Sequence, residues 1–166
     1  MPNLAKILVE MFERESAQVR FVLEAAEKAD STFTPYEGMR CLIDLANHVA
    51  QIPTLDFKFY TKAFNAFEQV NEWEKKLNRS NIHDLLEVFD DGVKHIINHI
   101  KGLSDDEILK ENLKAFYEEG PDKNWAHYLP EITTHLAMHK MQVWMYLRLA
   151  GLPVSMWTYY GVPQNK

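Results

Sequence analysis

The chain has 166 residues, with 18 Lys and Arg against 24 Asp and Glu (net charge −6), one Cys, six Gly and seven Pro. That length, with 46% apolar and 25% charged residues, reads as one globular domain over 1–166 that buries its own core, and it excludes a disordered chain. The single Cys excludes a disulfide framework and a multi-cysteine zinc or iron–sulfur site. The acidic balance speaks against general nucleic-acid binding, and no apolar run approaches the roughly 18 residues of a membrane span.

Taken in order, the elements are helical almost throughout. Leu4, Ile7, Leu8, Met11, Val19, Val22, Ala25 and Ala26 return to one side of a long helix over about residues 3–29. Its start, Met1 to Ser16, carries Lys6, Glu10, Glu13 and Arg14 and does not read as a signal peptide, so the chain is expected to be cytoplasmic. Asp30-Ser31-Thr32 breaks the helix. Thr34-Pro35 supplies an N-cap and a first-turn proline for a second helix, which runs to about Gln51 and is closed by Pro53. Residues 55–78 read as a further, aromatic-rich helical stretch with Phe57, Tyr60, Phe64, Phe67, Val70 and Leu77. Ser80 caps a helix ending near Gly102, with Ile82, Leu85, Leu86, Phe89, Val93 and Ile96 on one face. A short amphipathic piece (105–118) and Gly120-Pro121 precede the last long helix, which begins near Trp125–Pro130 and ends at Gly151. No alternating strand pattern, repeat or linker occurs. The expected fold is all-α: an antiparallel bundle of four long helices with additional connecting helices.

Function is sought among the seven histidines. His95/His99 and His135/His139 each have the four-residue spacing that stacks imidazoles on a helix. On a wheel of about 100° per residue, His95 and His99 fall among Asp84, Asp91, Lys94 and Asn98, so they are expected on the solvent face. His83 and His127 lie near helix starts with no partner in view. His135 and His139 instead flank the stripe of Ile132, Leu136, Val143 and Leu147, and Gln142 and Tyr146 continue their row. Such a row is either a metal-ligand pair or a satisfied buried polar ladder. His48 lies at the edge of the stripe of Leu42, Leu45, Val49 and Ile52. Three inward-edge histidines on two neighbouring helices would make a facial three-nitrogen site with positions open for water or substrate. Cys41, about 10 Å along the axis from His48, reads as a small buried hydrophobe. Met138, Met141, Met145, Trp144 and Leu149 form a second apolar stripe, a bundle contact or a dimer surface.

The stretch His135-Leu-Ala-Met-His139-Lys-Met-Gln142, followed by Tyr146-Leu-Arg148-Leu-Ala-Gly151-Leu-Pro153 and Tyr159-Tyr160-Gly161, resembles the DinB superfamily of DinB/YfiT-like metalloenzymes. The helix-2 histidine of that family corresponds to His48, in Leu45-Ala-Asn-His48. Members commonly carry Arg or His after the second ligand, where this chain has Lys140. The resemblance implies a four-helix bundle, a homodimer, and a divalent metal (Zn²⁺ or Ni²⁺) held by His48, His135 and His139. It also implies a thiol S-transferase that joins a low-molecular-weight thiol to an electrophilic substrate. A related hydrolase would use the same site. Asp44, Glu131, Gln142 and Tyr146 are the candidates to orient the ligand rings. The alternative is a non-catalytic metal-binding dimer associated with DNA damage or stress. A ferritin-like di-metal bundle needs Glu-x-x-His on two helices, and Glu131-x-x-x-His135 is one residue too long.

Overall fold

The computed structural model describes residues 3–163, so the ends of the expected 1–166 unit lie outside the described residues. It is all-α, with four long helices: α1 (Leu4–Ala26), α2 (Leu42–Tyr60), α4 (Ile82–Lys101) and α6 (Trp125–Leu149). Shorter helices connect or flank them: α3 (Phe67–Leu77), α5 (Asp105–Ile108) and α7 (Met156–Tyr159). Strand pairing among the described residues is limited to one isolated bridge, Leu113 to Lys123. No helix among them is long and apolar enough to cross a membrane.

Each long helix packs against two others: α1 on α4 and α6, and α2 on the same two from the other side. Between them lie Phe12, Leu23, Leu85, Phe89, Tyr128 and Leu136, each at most 1% exposed. Caps mark the boundaries. The Asn3, Asn81 and Asn124 side chains accept from the backbone N–H of Lys6, Asp84 and His127. The cap of α4 is therefore Asn81, one residue past the expected Ser80. At the end of α6, Gly151 (φ +82°) takes the left-handed turn that lets Leu152 N–H reach the Leu147 carbonyl at 3.0 Å and Gly151 N–H reach that of Arg148 at 3.0 Å.

The expected helical stretch 55–78 is split between the end of α2 and α3, and three more boundaries differ. Thr34-Pro35 does not start a helix: residues 32–40 form turns, and α2 starts at Leu42 with Cys41 in the N-cap position. Pro53 does not close α2, which runs through it to Tyr60. Proline inside a helix forfeits one backbone hydrogen bond and crowds the preceding turn. Here packing sustains it, because α4 presents Gly92 to this point. A Cβ at Gly92 would sit 2.7 Å from Thr54 Oγ1 and 3.0 Å from Pro53 Cβ, so only glycine permits this approach of α2 and α4. Third, only Asp105–Ile108 of the expected 105–118 piece is helical. The chain beyond it forms a loop carrying Phe116 and Tyr117.

The expected apolar stripe on α6 divides. Trp144 is buried beneath α7, its ring N–H donating to the Ser155 carbonyl at 2.9 Å and its ring 5.8 Å from that of Tyr159. Met138, Met141, Met145 and Leu149 remain exposed.

Candidate metal centre

Two helices build the site. α2 carries His48 near its middle and Asp56 two turns on. α6 carries His135 and His139 on consecutive turns, with Gln142 three residues further. His48, His135 and His139 each offer a ligand atom within 4.8 Å of the others. The Nε2 atoms of His48 and His139 are 3.0 Å apart, and the His135 ring centroid lies 5.6 Å from that of His48 and 4.9 Å from that of His139. Two nitrogens at about 2.1 Å from a common ion stand about 3.0 Å apart at a right angle and about 3.4 Å apart at a tetrahedral one. The observed separation fits two ligands of a facial set.

Other contacts aim the rings. His135 Nδ1 lies 2.8 Å from Asp56 Oδ2, and His139 Nδ1 lies 2.6 Å from Gln142 Oε1. An Nδ1–H donated to these oxygens leaves each Nε2 lone pair free, the tautomer a metal ligand needs. Burial pushes the pKa of His48 down to about 4, helped by the neighbouring His139, Arg40 and His135. Burial also lowers that of His139, against the opposing effect of its hydrogen bond to Gln142. Both rings are therefore neutral near pH 7, as coordination requires. The three rings could together hold one metal ion.

Those lowered values fix the direction of a pH effect. Between the unfolded value of 6.5 and the folded value of about 4, the unfolded chain holds more protons at His48 than the folded one does. Stability is full above pH 6.5 and is lost as pH falls through that window. Chelator-treated protein should melt a few degrees lower at pH 5 than at pH 7 by calorimetry, roughly the effect of 1 kcal/mol. A melting temperature flat or rising over that interval would contradict the burial argument.

Two cavities adjoin the cluster and share His48 and Glu74. One, of about 240 Å³, is polar and lined by Arg40, Asp44, Asn47, Gln51 and Lys75. The other, of about 270 Å³, also touches His135 and Asp56 and is walled by Phe59, Phe67 and Tyr117.

Gln142 stands on His139. Glu131 is not beside His135; it accepts from the Tyr60 hydroxyl at 3.2 Å and lies 3.4 Å from His127 Nε2. Asp44 lines the polar cavity and accepts from the Cys41 thiol at 3.1 Å. Tyr146 donates its hydroxyl to the Arg40 carbonyl at 3.1 Å, tying the loop before α2 to α6. Cys41 is half-buried and outside the histidine cluster. The partner of His135 is Asp56, which lies beyond the helix end expected at Pro53. Reading α2 through that proline would have brought Asp56 into view two turns past His48.

His95 and His99 lie outside the cluster, and of the two expected on the solvent face only His95 is exposed, its ring 4.6 Å from that of Phe57. His99 is half-buried, its ring 5.0 Å from that of Phe57 and 5.3 Å from that of Trp125, and burial lowers its pKa. His83 and His127 do have partners: His83 lies 3.6 Å from a Glu27 carboxylate oxygen, and His127 Nε2 lies 3.0 Å from Lys123 Nζ. No protein-family model matches the chain, and no curated protein matches it.

Proposed function

We propose that this chain is a DinB/YfiT-like four-helix bundle in which His48, His135 and His139 hold one divalent ion, Zn²⁺ or Ni²⁺. Its activity on this reading is transfer of a low-molecular-weight thiol to an electrophilic carbon. The observation that carries the reading is the approach of His48 Nε2 to His139 Nε2 at 3.0 Å, with His135 beside them and Asp56 and Gln142 on the outward nitrogens of the α6 pair. When bound, a divalent ion supplies positive charge that favours the thiolate form of a small thiol at neutral pH.

The chain's own residues do the rest. Asp56 and Gln142 hold the α6 imidazoles in orientation. Phe59, Phe67 and Tyr117 narrow the access of water from one side, and the polar cavity admits a hydrophilic thiol from the other. In the transfer itself a sulfur–carbon bond forms as the carbon–leaving-group bond breaks. The leaving group departs with the electron pair, and the thiol proton passes to solvent. No protein nucleophile is needed, so Cys41→Ser should leave transfer intact. The exposed Met138, Met141, Met145 and Leu149 on α6 are the proposed homodimer face.

The test is metal content of untagged protein. About one equivalent is expected in the wild type. His48→Ala and His139→Ala should each lose it, and the paired substitution His95→Ala and His99→Ala should retain it. Metal that survives His139→Ala, or leaves with the His95 and His99 pair, would overturn the assignment. Metal bound without thiol transfer would favour the non-catalytic alternative.

A further inference from the structure

The second cavity beside the histidines has an unusual rim. Phe67, the first residue of α3, and Tyr117, on the loop after α5, are 57% and 51% exposed, among the most exposed aromatic rings of the chain. Their planes are parallel within 8° at a centroid separation of 6.1 Å. Phe59 on α2 meets Tyr117 edge-on at 5.3 Å, and Phe116 meets Phe67 edge-on at 4.9 Å. Three separate segments thus bring flat apolar surface to one opening. The buried Ile52, Leu55 and Val70 also line the cavity, together with His48, His135 and Asp56. Its volume of about 270 Å³ lies near the lower end of small-ligand cavities and admits one or two fused rings. Aromatic faces left in water at the mouth of a cavity with a few convergent polar groups are the usual features of a ligand site.

The charges of the cavity narrow the ligand further. Among the described residues, its ionisable lining besides histidine and tyrosine is Asp56 and Glu74, with no lysine or arginine. Burial and the nearby Asp56, Glu118 and Glu131 push the Tyr117 hydroxyl up to about 12, so it stays a neutral donor. An anionic ring would meet carboxylates and find no cation in this cavity.

We infer that the Phe59–Phe67–Tyr117 cavity binds an uncharged planar aromatic group and holds it against His48 and His135. The inference deepens the thiol-transfer reading by naming the electrophile's class, a neutral aromatic compound, and rests on that reading only for the ring's chemical fate. Offset stacking on Phe67 or Tyr117 supplies the recognition, and the cavity's depth directs the ring's substituent towards the three nitrogens.

Binding is tested on the full chain with 2-naphthol, followed by the probe's emission, before and after chelator treatment. One site with the same affinity in both preparations is expected. Phe67→Ala and Tyr117→Ala should each weaken it by about tenfold. Asn71→Trp, a substitution at an exposed position lining the same cavity, should block it without removing a packed ring. 2-Naphthoate should bind at least about tenfold more weakly than 2-naphthol to the chelated protein. Absence of saturable binding, affinity unchanged in all three variants, binding lost on chelation, or equal affinity for the anionic probe would each overturn the inference. Absence of metal from the purified protein, with ring binding intact, would overturn the metal reading alone.

Discussion

Asp56→Ala should weaken divalent-ion binding by roughly 10- to 100-fold while His48, His135 and His139 remain in place. Asp56 is buried, and its Oδ2 lies 2.8 Å from His135 Nδ1, so the carboxylate does two things for that ring. It accepts the Nδ1 proton, which fixes the tautomer with the Nε2 lone pair turned to the cluster, and its negative charge attracts a cation held on the far side of the ring. Alanine removes both. The ring then samples the other tautomer and other rotamers, each of which must be given up before it can coordinate. Asp56→Asn keeps an acceptor oxygen without the charge, so its loss should be smaller. Gln142→Ala should fall at the low end as well, because Gln142 is neutral and exposed. Competition titration against a chromophoric chelator separates these cases. Asp56→Ala binding as tightly as wild type would show that the 2.8 Å contact orients nothing.

The all-α class and the order of the long helices were legible because apolar residues recur with the helical period in α1, α4 and α6 with few glycines to interrupt them. The convergence of His48, His135 and His139 was legible for the same reason: each falls at the edge of an apolar stripe, and stripes face one another in a packed helical protein. What was not legible depends on contacts between distant segments. Pro53 carries a local signal to stop, and the close approach at Gly92, 39 positions away, overrides it. The same local signal hides Asp56 as the partner of His135 and Phe59 as a cavity wall, since both lie beyond the proline. His99 looks polar on its own wheel and becomes half-buried only because α2 and α6 place Phe57 and Trp125 against it. Trp144 looks available on α6 until α7 folds over it.

Lys140→Met should destabilise the protein by about 2–3 kcal/mol at neutral pH, a larger loss than removing any exposed charge of the chain. Lys140 is 2% exposed although it follows His139 directly. Its Nζ lies 2.8 Å from Glu15 Oε1, at an angle that makes an ion pair without a hydrogen bond, and donates to Gln18 Oε1 at 2.5 Å. It also stands 4.1 Å from the centre of the Tyr159 ring. One ammonium therefore joins α1, α6 and α7. Methionine fills the volume of the stem, so the loss comes from Glu15, whose side chain is only 17% exposed and would be left without its cation. An unpaired buried charge costs about 3–5 kcal/mol, reduced here by the partial exposure of Glu15. Adding Glu15→Gln to Lys140→Met should then recover most of the stability, because the stranded charge is gone. Urea denaturation of the two single variants and the double variant gives the coupling directly. Equal stability of the Lys140→Met single variant and the double variant would mean that Glu15 is solvated well enough to stand alone, and the loss would then belong to the Gln18 and Tyr159 contacts.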